Sequence, residues 1–207
     1  MKKLFLVRHG NTFSAGETPL YVGARSDLPL TEEGHKQGQR VGEVLSREKF
    51  SGTEIYSGPL KRQLETAAEI NKQFAGALEI VTASELVEID YGLWEGLSEE
   101  EIKSSWATEY EQWTKKSLWP AKIFATLEPE QQMRIQSFLA RIAVETTDAI
   151  VVTSNGVLRI IYSMLSPNWN ELQSRGETSK AKVRTGAYCL LEYDGKKWMI
   201  RSWNERP

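Results

Sequence analysis

The chain has 207 residues, and its 26 lysines and arginines nearly balance 28 aspartates and glutamates, for a formal net charge of −2 at pH 7. This length fits one domain with a sizeable core, and the mixed charge lacks the basic footprint of a nucleic-acid binder. The single cysteine, Cys189, excludes an intramolecular disulfide framework and points to a reducing, cytoplasmic setting.

The first element is a strand at Leu4-Phe5-Leu6-Val7. Its apolar stretch stops at Arg8, too early for a signal-peptide core, and no run in the chain is long enough to cross a bilayer. A helix follows Leu30-Thr31, with Val41, Val44 and Leu45 on one face, and Glu54-Ile55-Tyr56-Ser57 forms a second short strand. Pro59 can open a helix, which the pattern carries to about Ala75, and a third strand covers Leu78 to Val81. Ser98 and Glu101 have capping-box spacing and start a Trp-rich helical region to Lys116, part of a helical insert over about residues 98–127. Trp94, Trp106, Trp113 and Trp119 suit core and cap packing better than a ring-stacking cleft. Ile135, Phe138, Leu139, Ile142 and Ala143 repeat at helical spacing within Pro129 to Glu145. The β-branched run Ala149 to Thr153 is a buried central strand, followed by a helix over residues 157–165. Asp194-Gly195 marks a hairpin between Ala187–Tyr193 and Trp198–Trp203, with Cys189 as a small buried hydrophobe. Strands alternating with helices predict a three-layer α/β/α domain with a largely parallel central sheet, spanning residues 1–207.

Two strand ends share one design. Leu4 to Val7 runs into Arg8-His9-Gly10-Asn11-Thr12, and Ile150 to Thr153 runs into Ser154-Asn155-Gly156. Ligands of open α/β sheets bind beyond the carboxyl ends of strands, so both tips are expected at one crevice. Arg8 offers a fork of donors for phosphate oxygens. His9 offers an imidazole with a reference pKa of about 6.5, nucleophilic when neutral. Gly10 would let the backbone approach an anion. No Asp/His cluster with metal-ligand spacing lies near these blocks, so no metal and no other cofactor is expected.

Leu-Val-Arg-His-Gly-Asn-Thr at residues 6–12 resembles the signature of the histidine phosphatase superfamily, the phosphoglycerate mutase-like fold. Three further blocks are similar to that family: Asp27-Leu28-Pro29-Leu30-Thr31-Glu32-Glu33-Gly34, then Ser57-Gly58-Pro59-Leu60-Lys61-Arg62 with Thr66-Ala67, then Leu86 to Gly96. The resemblance implies that His9 forms a phosphohistidine while Arg8 and Arg62 clamp the phosphoryl oxygens, assisted by Asn11, Thr12, Asn155 and Gly156. It makes Glu88 the general acid, leaving Asp90 and Glu95 to support their loop. The implied substrate is a small phosphomonoester.

The pattern departs from the family at two places. A second histidine is expected in a Ser-His-Gly tripeptide, and here Ser154-Asn155-Gly156 stands instead; asparagine can donate but cannot carry a positive charge. Ala15 stands where the family often has an asparagine, and Phe13 to Arg25 is poorly matched, which marks it as a divergent substrate-facing loop. The remaining histidine, His35, reads as a surface residue. The sequence thus predicts a metal-independent phosphatase, with a phosphate-binding pseudoenzyme and a mutase-type phosphotransferase as the alternatives.

Overall fold

The computed structural model describes residues 1–145 and 147–207. Six strands, β1 (Lys2–Arg8), β2 (Glu54–Ser57), β3 (Glu79–Thr82), β4 (Ala149–Thr153), β5 (Tyr188–Tyr193) and β6 (Trp198–Glu205), form one sheet in the order β3-β2-β4-β1-β5-β6. β3, β2, β4 and β1 pair in parallel, while β5 is antiparallel to both β1 and β6. Only β5 runs against the rest. This is the mixed, mostly parallel α/β sheet expected from the alternation of strands and helices.

The pleat sends successive side chains to opposite faces, and both faces are covered. Phe5 and Val7 of β1, with Ile150 and Val152 of β4, pack against Val41 and Leu45 of α1 (Glu32–Arg47) and against Ala67 and Ile70 of α2 (Lys61–Lys72). Leu4, Leu6, Ala149 and Val151 face the other layer. There they meet Ile135, Phe138 and Ile142 of α4 (Glu128–Glu145) and Leu158 and Ile161 of α5 (Asn155–Leu165). A strand buried on both faces must be apolar throughout, which is why β4 reads as a continuous run. Each fully buried Leu or Ile contributes about 1.5–3 kcal/mol.

Between the second and fourth helices lies α3 (Glu99–Lys116), and α6 (Trp169–Arg175) follows α5. The predicted capping box at the start of α3 is present: the Glu101 amide donates to Ser98 Oγ (3.3 Å) and the Ser98 amide to Glu101 Oε2 (2.7 Å). The helix kinks at Trp106, where φ is −140° and ψ 46°. Beyond it, Phe124 sits edge-on to four rings, Tyr91, Trp94, Trp113 and Trp119, with centroids 5.1–5.3 Å away. That aromatic knot is the packing the tryptophans were expected to supply.

Helix boundaries differ from expectation by two residues or more at three points, the first being the start of α2, which lies at Lys61 with Leu60 as N-cap and Pro59 just outside the helix. α2 stops at Lys72 instead of running to Ala75, because Ala75 (φ 56°) and Gly76 (φ 73°) turn left-handed. The Asn71 side chain then fastens Leu78 through two hydrogen bonds (2.9 and 3.1 Å). α5 starts at Asn155, two residues earlier than the apolar periodicity implied, so Asn155 and Gly156 form its first turn. The hairpin is as expected, with Asp194 Oδ1 accepting from the amides of Lys196 and Lys197 (2.8 and 2.9 Å). Among the described residues, no helix is long and apolar enough to cross a membrane.

Candidate active site

β1 and β4 are neighbours, with Arg8 level with Thr153. After β1 the chain leads to α1 on one face of the sheet, and after β4 it enters α5 on the other. A crevice must open where the two connections part. There a cleft of about 1000 Å³ is lined by Arg8, His9, Asn11, Thr12, Glu88 and Asn155, among others. The two strand tips therefore meet as the sequence implied.

His9 is 6% exposed. Its backbone amide bonds Thr153 O across the β1–β4 junction (3.0 Å). The ring Nδ1 lies 2.8 Å from Gly10 O; a carbonyl can only accept, so Nδ1 carries the proton and Nε2 keeps its lone pair. Arg62 Nε donates to that lone pair at 3.3 Å. Burial first, then the Arg8 and Arg62 charges, hold the imidazole well below its ordinary pKa. The ring is thus a neutral base with Nε2 as its nucleophilic atom.

The two arginines differ. Arg8 lines the cleft, gives Nη1 to Val183 O (2.7 Å), and has a buried Nε without a partner among the described residues. Arg62 is fully buried and does not line the cleft; its Nη1 and Nη2 donate to the carbonyls of Ser26 (2.6 Å) and Gly23 (3.1 Å). Much of the fork assigned to phosphate is therefore committed to the loop at residues 23–26, and what reaches the site is its Nε, against His9.

Glu88 is 4% exposed, and burial raises its carboxyl above the ordinary range. Its Oε1 accepts from the Ile89 amide (2.9 Å) and its Oε2 from the Gly156 amide (3.1 Å). The segment before it is pinned to the β4 tip, because Leu86 O accepts from Thr153 Oγ1 (2.8 Å) and from Gln63 Nε2 (3.1 Å). Gln63 Nε2 also reaches Ser154 Oγ (2.9 Å).

The glycines act otherwise than expected. Gly156, read as a phosphate binder, spends its N–H on Glu88, and a Cβ there would overlap the Glu88 carboxylate. Gly10, read as the point of anion approach, faces the first turn of α1, where a Cβ would overlap the Gly34 carbonyl. Both are required where one segment of the chain passes close against another.

Asn155 Oδ1 accepts from the Val183 amide (3.0 Å), and its Nδ2 has no partner among the described residues. Asn11 Oδ1 accepts from Thr185 Oγ1, and its own amide bonds Gln37 Oε1 (2.8 Å). Asp90 and Glu95 hold the loop, as expected: Arg25 Nε lies 3.1 Å from Asp90 and 3.5 Å from Glu95. His35 is half-buried and bridges α1 to α2 through Glu69 (3.0 Å). Cys189 is buried, its thiol pushed up to about 12 by desolvation. Among the described residues, no group of three or more His, Cys, Asp or Glu side chains could hold a metal ion.

The outer wall was only partly foreseen. Phe13, Ser14 and Pro19 to Val22 line it, in keeping with a substrate-facing loop, whereas the exposed Ala15 does not. The loop is stitched to the start of α3 by Tyr21 N to Leu97 O and Gly96 N to Tyr21 O (both 2.8 Å). Sequence reasoning missed Tyr91, Tyr110, Arg159, Lys182 and Arg184, which also line the cleft. Only Arg159 had a signal: it is a charge inside the otherwise apolar run Val157 to Ile161.

A neutral nucleophilic imidazole between two guanidinium groups, with a buried carboxyl nearby, defines a site that can receive an anion and move a proton. The sequence profile of the histidine phosphatase superfamily (branch 1) matches residues 4–206, and the chain belongs to that superfamily. It is 37% identical over 113 residues to phosphoserine phosphatase 1 of Hydrogenobacter thermophilus, covering 55% of this chain and 51% of that protein. It is 29% identical over 207 residues to phosphoglycerate mutase-like protein 4 of Arabidopsis thaliana, covering 98% and 85%. Mycobacterial glucosyl-3-phosphoglycerate phosphatase shares the fold with a TM-score of 0.78 at 18% identity, covering 98% of each chain. The matched stretch thus spans about half of the first relative's length and most of the second's.

Proposed function

We propose that this protein is a phosphohistidine-dependent phosphatase acting on a small phosphomonoester, without a metal or other cofactor, in the cytoplasm, as one domain over residues 1–207 carrying a helical insert over about 98–127. The observation that carries the reading is the set of His9: Nδ1 protonated toward Gly10 O and Nε2 unprotonated, its lone pair accepting from Arg62 Nε at 3.3 Å. Relatives named as phosphatases support it.

In the first step His9 Nε2 attacks phosphorus in line, the P–O ester bond breaks, and the leaving oxygen takes the Glu88 proton. Burial, by raising the Glu88 pKa, keeps that proton available. When the Nε2 lone pair becomes the N–P bond, Arg62 Nε loses its acceptor and its N–H turns to a phosphoryl oxygen, joining Arg8. Asn11, Thr12 and the Asn155 amide complete the oxygen contacts. In the second step water attacks phosphorus, Glu88 takes the water proton, and the N–P bond returns its pair to Nε2. Asn155 stands where the family carries a second histidine; with Oδ1 engaged by Val183, its NH2 is the end left for phosphate.

The test is hydrolysis of p-nitrophenyl phosphate and a panel of phosphorylated metabolites in EDTA, with acid-labile phosphoryl label trapped on the protein. His9→Ala should abolish both turnover and label. Turnover that survives His9→Ala, or that needs added Mg²⁺, would overturn the reading; binding without turnover would make the protein a phosphate-binding pseudoenzyme.

A further inference from the structure

Arg159 is a buried cation that the steps above leave unused. Its side chain lines the cleft and is only 6% exposed. The guanidinium lies over the Trp113 ring, 4.6 Å from the centroid, and Nη1 donates to Trp113 O (2.9 Å). No carboxylate pairs with it among the described residues, and its buried Nε has no hydrogen-bond partner there. Holding an uncompensated charge in a dry wall is costly. Structural arginines avoid that cost by pairing, so this one is placed for an anion that arrives from outside.

Its position fixes where that anion sits. Arg159 follows Asn155 by four residues on α5, so the two side chains project from one face, about 5–6 Å apart at Cβ. Nη1 is tied to the main chain and Nε is enclosed, which leaves Nη2 as the arm of the guanidinium fork that meets an oxygen entering from the cleft. Glu99, the other acid on the cleft wall besides Glu88, is engaged by Lys103 and does not neutralise the fork.

Resting on the phosphatase reading, we infer that Arg159 is the receptor for a second anionic group on the substrate. The substrate is then an ester whose compact leaving group ends in a carboxylate or a second phosphate, about one helical turn from the scissile phosphoryl group. The burial that lowers the Arg159 pKa agrees with a guanidinium awaiting a counter-ion.

Three esters on one three-carbon frame test this: 3-phosphooxypropanoate, propane-1,3-diol monophosphate and propane-1,3-diol bisphosphate. Wild type should favour at least one charged ester over the hydroxyl-ended one by about tenfold or more in kcat/KM, and the preferred member tells carboxylate from phosphate. Arg159→Gln should bring that ratio to within about threefold of unity. Arg159→Lys, which keeps the charge and loses the fork, should retain part of it and serves if the Gln variant does not fold. A wild-type ratio near unity, or a ratio unchanged in a folded variant, would overturn the inference. If no ester is turned over, the phosphatase reading fails on its own, and calorimetric binding of the same esters to the His9→Ala protein still decides the role of Arg159 by the same ratio.

Discussion

The floor of the cleft and its outer wall are built differently. At the floor His9 and Glu88 are buried, with Arg62 buried just behind them, and their polar atoms meet main-chain partners at Gly10, Ile89, Gly156 and the loop at residues 23–26. On the wall, loop 13–25, α3 and the segment at residues 182–184 present side chains of graded exposure, with Lys182 and Arg184 at the rim. The floor is over-determined and the wall is not. A substitution on the floor should therefore act on every substrate alike, whereas one on the wall should act on the ratio between substrates.

The largest effect expected on that contrast comes from Glu88→Gln, which removes the proposed proton donor and should lower kcat by about 10²–10⁴ on all substrates. The same variant tests the pH profile. The proposed first step needs Glu88 protonated and His9 neutral. Its raised pKa places the alkaline fall of kcat/KM above the ordinary carboxyl range, and the lowered His9 value places the acid fall below the ordinary imidazole range. In Glu88→Gln the alkaline fall should vanish; its persistence would assign it to another group. Asn155→His should raise kcat on a generic phosphomonoester by about tenfold, or about 1.4 kcal/mol, with a smaller change in KM. An unchanged or lower rate in a folded protein would show the site adapted to asparagine. The smallest effect is on the wall: Tyr21→Phe removes a hydroxyl from the cleft lining, where the Tyr21 ring packs edge-on to Tyr110, and should move KM by less than about fivefold, unequally between substrates. An equal change across a substrate panel would erase the distinction between floor and wall.

The sequence exposed the floor because its features are local. An apolar run ending in a polar turn shows at β1 and again at β4, and the strand-tip rule then brings His9 and Asn155 together without any knowledge of distances. What it hid are contacts made across the fold. Nothing adjacent to Gly10 announces Gly34, and nothing in the block around Glu88 announces that Gly156 will supply its N–H. The commitment of the Arg62 fork to Gly23 and Ser26 depends on a loop whose sequence was poorly matched. Boundaries failed where helix ends are set by backbone conformation, as at Ala75, or by a polar first turn that apolar periodicity cannot see, as at Asn155. Arg159 was visible only as an anomaly in an apolar run.

The order of pairing in the sheet has a consequence for how the chain acquires its structure. β1 occupies a central place, yet both its partners, β4 and β5, lie beyond the first two-thirds of the chain. While those partners are missing, the strand that ends in Arg8 has no neighbour on either edge, and its apolar faces have no settled cover. Closure of such distant contacts is slow, and an unpaired apolar strand is a hazard in the interim. His9 and its cleft therefore mature together and late: a fragment ending after α3 would hold His9 but no β4 tip to set it against, so any chemical competence should appear in refolding only with the final cooperative phase.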